Sequence, residues 1–188
     1  MRRKLMAAVV ITAVCVGAGN AAGTGYLGSG LGPQIGLVIL DDPEPVDVGF
    51  DIGGHADIAF GLGPGGEIHY YPSLEVWMGG EDHGNLEYFA LEICLNFFDV
   101  RYYFPVPVSI RPFVGLGPMV AIDYWDVDHV TLGDYDDDDW DADAGFNIFT
   151  GVDFDVSPSM DLFLEMRGKF GDWDLFKLMG GMTFPLGR

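Results

Sequence analysis

Three groups of residues have the types and spacing to do chemistry. The first is the run Asp134-Tyr135-Asp136-Asp137-Asp138-Asp139-Trp140-Asp141-Ala142-Asp143. With Asp126 and Asp128 it places nine aspartates between residues 126 and 143. Carboxylate oxygens suit Ca²⁺ or Mg²⁺, and Asp134, Asp136, Asp138, Asp139 and Asp141 are the candidate ligands. The spacing lacks the central glycine and closing glutamate of an EF-hand loop, so the competing reading is a solvated acidic loop. The second group is His55, Asp57 and His69, a histidine–carboxylate set of the kind that moves protons. Ser73 is the one serine near it and no oxyanion-hole pattern accompanies it, so the expectation is polar packing and no enzyme. The third is Glu165, Arg167, Lys169 and Lys177, with Arg101, Arg111 and Asp123. These form either an ion-paired interior or a narrow ion path. Cys94 has no Cys/His dyad beside it, and no zinc, P-loop or dinucleotide motif is present.

These groups sit in an unusual composition. The chain has 188 residues, with 9 Lys+Arg against 29 Asp+Glu and a net charge of −20. It is nevertheless 49% hydrophobic, with a mean hydropathy of +0.22. Disordered acidic chains lack aromatics, and this one is 14% Phe, Trp and Tyr. Nucleic-acid binding is excluded by the sign of the charge, because neutralising phosphates needs a basic face. The length fits one domain with a real core.

The N-terminus reads as an export leader. Met1-Arg2-Arg3-Lys4 is basic, Leu5–Val16 is apolar apart from Thr12, and Gly19-Asn20-Ala21 offers a small-residue cleavage site. The run is short for a membrane-spanning helix. The expected division is a leader at residues 1–21 and one domain at residues 22–188. Removing the leader leaves six basic residues against 29 acidic ones, a charge of −23, and leaves Cys94 as the one cysteine. No intrachain disulfide is then available.

Beyond residue 30 the pattern has period 2, which places alternate residues on opposite faces of a strand. In Val46–Phe60, Val46, Val48, Phe50, Ile52, Ala56, Ile58 and Phe60 oppose Asp47, Gly49, Asp51, Gly53, His55, Asp57 and Ala59. The alternation recurs in Glu67–Met78, Leu86–Phe104, Ile110–Trp125, Gly145–Val156, Met160–Phe170 and Asp174–Phe184. A slip near Phe97-Phe98 predicts a bulge. A weaker run at about Gly32–Leu40 makes eight strands. Short Gly/Pro/Ser turns at 62–66, 105–109 and 157–159 alternate with polar segments at 41–45, 79–85 and 127–142, as in an up-and-down meander.

Alternation alone does not say which face is inside. A soluble barrel puts its apolar parity inward; a membrane barrel inverts this. Here the glycines at 36, 49, 53, 115, 117, 151 and 181 share the charged face, as a narrow interior requires. Arg101, Arg111, Arg167, Lys169 and Lys177 all lie on that same face, interleaved with acids, which suits buried paired charge. The other face is free of charge at strand centres and aromatic near strand ends, like a lipid-facing band with its girdles. The fold class is therefore an all-β, eight-stranded antiparallel up-and-down transmembrane barrel.

The chain resembles the small eight-stranded outer-membrane barrels of the OmpA/OmpX-like superfamily. The resemblance rests on the leader, on Asp99-Val100-Arg101-Tyr102-Tyr103-Phe104-Pro105 followed by a short turn and Arg111-Pro112-Phe113-Val114-Gly115-Leu116-Gly117, and on the closing strand Leu175–Phe184. It implies an outer-membrane location with short turns in the periplasm and the acidic segment outside. It also implies contact with the bilayer and its anionic outer-leaflet lipids, insertion by the barrel-assembly machinery, and a monomer. No cofactor is expected beyond Ca²⁺ or Mg²⁺ at the acidic segment. The alternatives are an enzyme or narrow channel on the same barrel, or a soluble exported lipocalin-like ligand binder.

Overall fold

The computed structural model describes residues 29–40, 48–63, 65–83, 86–106, 110–129, 136–171 and 174–186. The expected leader at residues 1–21 lies outside them. Ten strands follow one another: β1 Ser29–Leu40, β2 Val48–Gly63, β3 Gly66–Tyr70, β4 Ser73–His83, β5 Leu86–Asn96, β6 Val100–Tyr103, β7 Ile110–His129, β8 Asp136–Ser157, β9 Met160–Phe170 and β10 Leu175–Leu186. All pairings are antiparallel, and β1 pairs with both β10 and β2, so the sheet closes on itself.

The ten strands make eight staves. β3 and β4 both pair with β2, and β5 and β6 both pair with β7. Each of these two couples is one long strand, interrupted midway. The interruption at Phe97–Asp99 coincides with the expected bulge. The one at Tyr71-Pro72 was not expected. The two breaks lie side by side and keep their backbones paired. The Tyr71 amide donates to the Asp99 carbonyl (2.8 Å) and the Ala56 amide to the Pro72 carbonyl (3.0 Å). The Tyr70 hydroxyl donates to the Phe97 carbonyl. Satisfying these groups within the wall matters in surroundings without water.

Two segments expected to be polar loops are largely strand. β4 runs to His83, which pairs with Leu86 of β5, so residues 79–83 of the 79–85 segment are strand. β7 and β8 stay in register up to Asp128↔Asp136, which takes most of residues 127–142 into a hairpin. The first strand also begins earlier than expected, at Ser29. The reason is continuity. Tyr124 packs against Trp140 with ring centroids 4.8 Å apart, so outward aromatic contact carries the pairing past Trp125, where charge on the alternate positions obscures the period.

The outer face is apolar. Phe50, Leu116 and Leu164 are 46%, 55% and 56% exposed, and Val152, cross-strand partner of Leu164, has the same parity. The inner face holds the buried Asp51, Glu75, Glu92, Asp99, Arg101, Arg167, Lys169 and Lys177. The distribution is inverted relative to a water-soluble barrel, so the lipocalin-like arrangement does not apply. Apolar side chains do enter the lumen near the end opposite the short turns, where Val38, Leu40, Trp77, Ala90 and Leu175 form a cluster.

Glycine makes room where the wall turns inward. A β-carbon on Gly117 would lie 2.6 Å from the Asp99 Cα and 2.8 Å from its backbone nitrogen. The bulge therefore needs glycine there. Gly54 is different, with the nearest atom 3.7 Å away. Gly117→Ala is expected to cost about 1–3 kcal/mol, as overpacking does, and Gly54→Ala under about 0.5 kcal/mol. Urea titration of the folded barrel in detergent or lipid, followed by tryptophan fluorescence, measures both.

Candidate functional site

The candidate site is the lumen itself, because that is where the titratable side chains converge. Its middle is organised around Glu75, which reaches inward from β4. Its Oε1 accepts from Ser73 Oγ (2.8 Å), Asn96 Nδ2 (2.9 Å) and Gln34 Nε2 (3.1 Å). Its Oε2 accepts from Lys177 Nζ (2.8 Å), which also donates to Asp51 (2.6 Å). Arg167 Nη1 lies 3.5 Å from the same carboxylate. A buried carboxylate is tolerable when its lone pairs are filled in this way.

Below Glu75, two arginines bind acids from opposite sides of the barrel. Arg167 donates to Glu165 (2.8 Å) and to Asp99 (2.7 Å). Arg101 donates to the other oxygen of Glu165 (2.5 Å). The Arg101 guanidinium also lies 3.2 Å from the centroid of the Tyr71 ring and 4.0 Å from that of Phe113. Cation–π contact with desolvated rings contributes about 2 kcal/mol. Toward the other end, Lys169 donates to Glu92, whose cross-strand neighbour is Asp123.

At the short-turn end, His69 contacts Asp57 through Nδ1 and Glu67 through Nε2. The Tyr103 hydroxyl lies 2.9 Å from both Asp57 and Asp153. Arg111 closes this floor, 3.4 Å from Asp153 and Asp155 and 3.5 Å from Asp161. His55 belongs to a separate contact. Its Nε2 is 2.9 Å from Thr183 Oγ1 and its ring stacks on Tyr71.

No family model matches the sequence, and no curated protein aligns with it. Solved structures do match. Neisserial surface protein A superposes with a TM-score of 0.57 at 14% identity, covering 84% of this chain and 97% of that one. Ail, the attachment invasion locus protein of Yersinia pestis, superposes with a TM-score of 0.51 at 11% identity, covering 86% of this chain and 100% of that one. The fold is that of the small eight-stranded outer-membrane barrels.

Within this barrel the basic group does not pair as its sequence spacing suggests. Lys177 and Arg167 stand directly opposite on β10 and β9, like charge beside like charge. Arg167 keeps Glu165 of its own strand as one partner; the other acid partners come from β2, β4 and the β5–β6 break, across the lumen. Asp51, Gln34, Asn96, Tyr71 and Tyr103 are contributors that the motif reading passed over. Each lies on the polar parity of its stave, and that was the signal available. Ser73 serves Glu75 and makes no contact with His69 among those described. Cys94 is 2% exposed, with Sγ 3.3 Å from Asn96 Oδ1 and 3.6 Å from the Met119 sulfur.

The acidic candidates are dispersed along β8. Asp134 lies outside the described residues. Register pairs Asp136 with Asp128, Asp138 with Asp126, Asp139 with Trp125 and Asp141 with Asp123. Strand alternation therefore gives Asp136 and Asp138 one parity and Asp139 and Asp141 the other. Among the described residues no three His, Cys, Asp or Glu side chains are grouped to hold a metal ion.

The lumen network has a direct test. Lys177→Met leaves Asp51 and Glu75 buried without their ammonium. The expected loss is about 3–5 kcal/mol, as for other broken buried pairs. Adding Asp51→Asn to that variant should recover part of it. A double-mutant cycle by urea unfolding reads the coupling.

Proposed function

We propose that the chain is an integral outer-membrane barrel that carries an acidic surface hairpin and does not conduct. The observation that carries this reading is the inversion of the wall: large apolar side chains outside, and inside a lumen filled by charged side chains bonded to one another. Eight strands leave an interior about as wide as the side chains that fill it. In the middle of the lumen Glu75, Asp99, Arg101, Glu165 and Arg167 are 0–2% exposed, which supports a plug over a path. With the lumen spent on pairing, we read no catalysis there.

The functional surface is then the end opposite the short turns, which faces outward if the short turns lie in the periplasm as such barrels arrange them. There β7 and β8 bring Asp126 opposite Asp138 and Asp128 opposite Asp136. Like charges directly opposite destabilise a strand pair. Ca²⁺ or Mg²⁺ from solution relieves that repulsion and bridges the hairpin to anionic outer-leaflet lipids. Two proteins sharing this fold are named as a surface protein and an attachment protein, and a surface-contact role here is consistent with that. Export by the leader, insertion by the barrel-assembly machinery and a monomeric state complete the reading.

Expression in a Gram-negative host and fractionation test it. The expected result is outer-membrane protein whose gel migration changes on boiling, with no conductance steps in planar bilayers. In vesicles containing anionic lipid, Ca²⁺ added after chelation should restrict the motion of a probe at the exposed position of Trp140. Soluble protein indifferent to boiling overturns the membrane assignment. Regular conductance steps overturn the plug, and a probe indifferent to Ca²⁺ overturns the bridging role.

A further inference from the structure

The lumen as a whole holds more buried acid than buried base. Among the described residues, ten buried Asp and Glu side chains stand against four buried Arg and Lys side chains. The excess is most concrete around Tyr103. Its hydroxyl oxygen is 2.9 Å from Asp57 Oδ2 and 2.9 Å from Asp153 Oδ2. It also receives Arg101 Nη1 at 3.3 Å. A phenol carries one hydrogen. It can donate fully to one of the two carboxyls; the other makes its 2.9 Å contact as a hydrogen bond by donating, so it carries a proton.

His69 narrows the choice. Both ring nitrogens face carboxylate oxygens, Nδ1 toward Asp57 and Nε2 toward Glu67 at 3.2 Å. A neutral imidazole has a single N–H, so two carboxylate acceptors call for the doubly protonated ring. Asp57 is thus hydrogen-bonded to a cation through Oδ1. Asp153 has only longer approaches, Arg111 at 3.4 Å and Arg101 at 4.0 Å. Arg111 is itself shared with Asp155 and Asp161, and Arg101 is taken by Glu165. Two carboxylates that share one small site hold a proton between them.

We propose that the lumen floor is a proton-binding site: one proton resides on Asp153, which donates to Tyr103 while Tyr103 donates to Asp57, and a second makes His69 an imidazolium between Asp57 and Glu67. The groups facing this site are Asp57 from β2, Glu67 from β3, Arg101 from β6, Arg111 from β7, Asp155 from β8 and Asp161 from β9. Asp155 is partly exposed, its side chain at 46%, so the site exchanges with water at the short-turn end. The protons fill positions that would otherwise need metal ions or additional basic side chains.

Infrared spectroscopy of the folded full-length barrel at neutral pH tests the first proton. The wild type should show the C=O stretch of a protonated carboxyl that shifts on ¹³C-aspartate labelling. Asp153→Asn, the neutral isostere, should lose that component while keeping heat-modifiable migration. If Asp153→Asn does not fold, Tyr103→Phe serves. It removes the acceptor and should move the stretch to higher frequency. Nitrogen NMR tests the second proton: the ring signals lost in His69→Gln should have imidazolium shifts at neutral pH. A wild type without the aspartic-acid band overturns the proposal, as does a band unchanged in the variant or a neutral His69 ring.

Discussion

The structure depends on the seam between the first and last strands. β1 pairs with β10 from Ser29↔Leu186 to Leu40↔Leu175, and without that pairing two edges would carry unsatisfied backbone groups into an apolar medium. Closure at eight staves sets the diameter, and the diameter sets the rest. The wall must admit bulky side chains at some levels and accept only hydrogen at others. Gly117 meets the bulge at Asp99, and the bulge in turn aims Asp99 at Arg167. A covalent geometry problem and an electrostatic one are solved at the same residues.

Charge inside so narrow a tube survives because it is shared. Glu75 gathers donors from β1, β4, β5 and β10, so its carboxylate ties together staves that are not neighbours. Isolated surface ion pairs contribute little. Here the partners lie buried on different walls, and removing one leaves another without compensation. This also resolves the composition. Among the described residues most large apolar side chains cover the outside, Arg101, Arg111, Arg167, Lys169 and Lys177 occupy the lumen, and much of the acid is divided between the lumen and the β7–β8 hairpin.

Much of this was legible in residue order. The period of 2, the glycines on the charged parity and the confinement of Arg and Lys to that parity led to the closed, inverted barrel. Phe97-Phe98 announced its bulge because the alternation slips there. Tyr71-Pro72 did not, because Tyr70, Tyr71, Pro72 and Ser73 continue to alternate outward and inward through the break. The acidic hairpin was hidden for a related reason: aspartates on both parities erase the contrast from which a strand is recognised. The choice of partners in the lumen was out of reach altogether. Every acid on the inner parity is equivalent in sequence, and only the stagger of the staves decides that Lys177 meets Asp51 rather than a nearer carboxylate.

The seam also dictates an order of events. Lys177 and Asp51 are 126 positions apart, and their bond joins the last stave to the second. Loop-closure entropy must be overcome before such distant contacts reward it. Hairpins between consecutive staves can form from local information, but the innermost charges keep their hydration until the last strand arrives. Dehydration of the lumen is therefore a late, concerted step. A chain interrupted before residue 175 lacks β10, the strand that makes the tube, and cannot partition its charged face away from lipid.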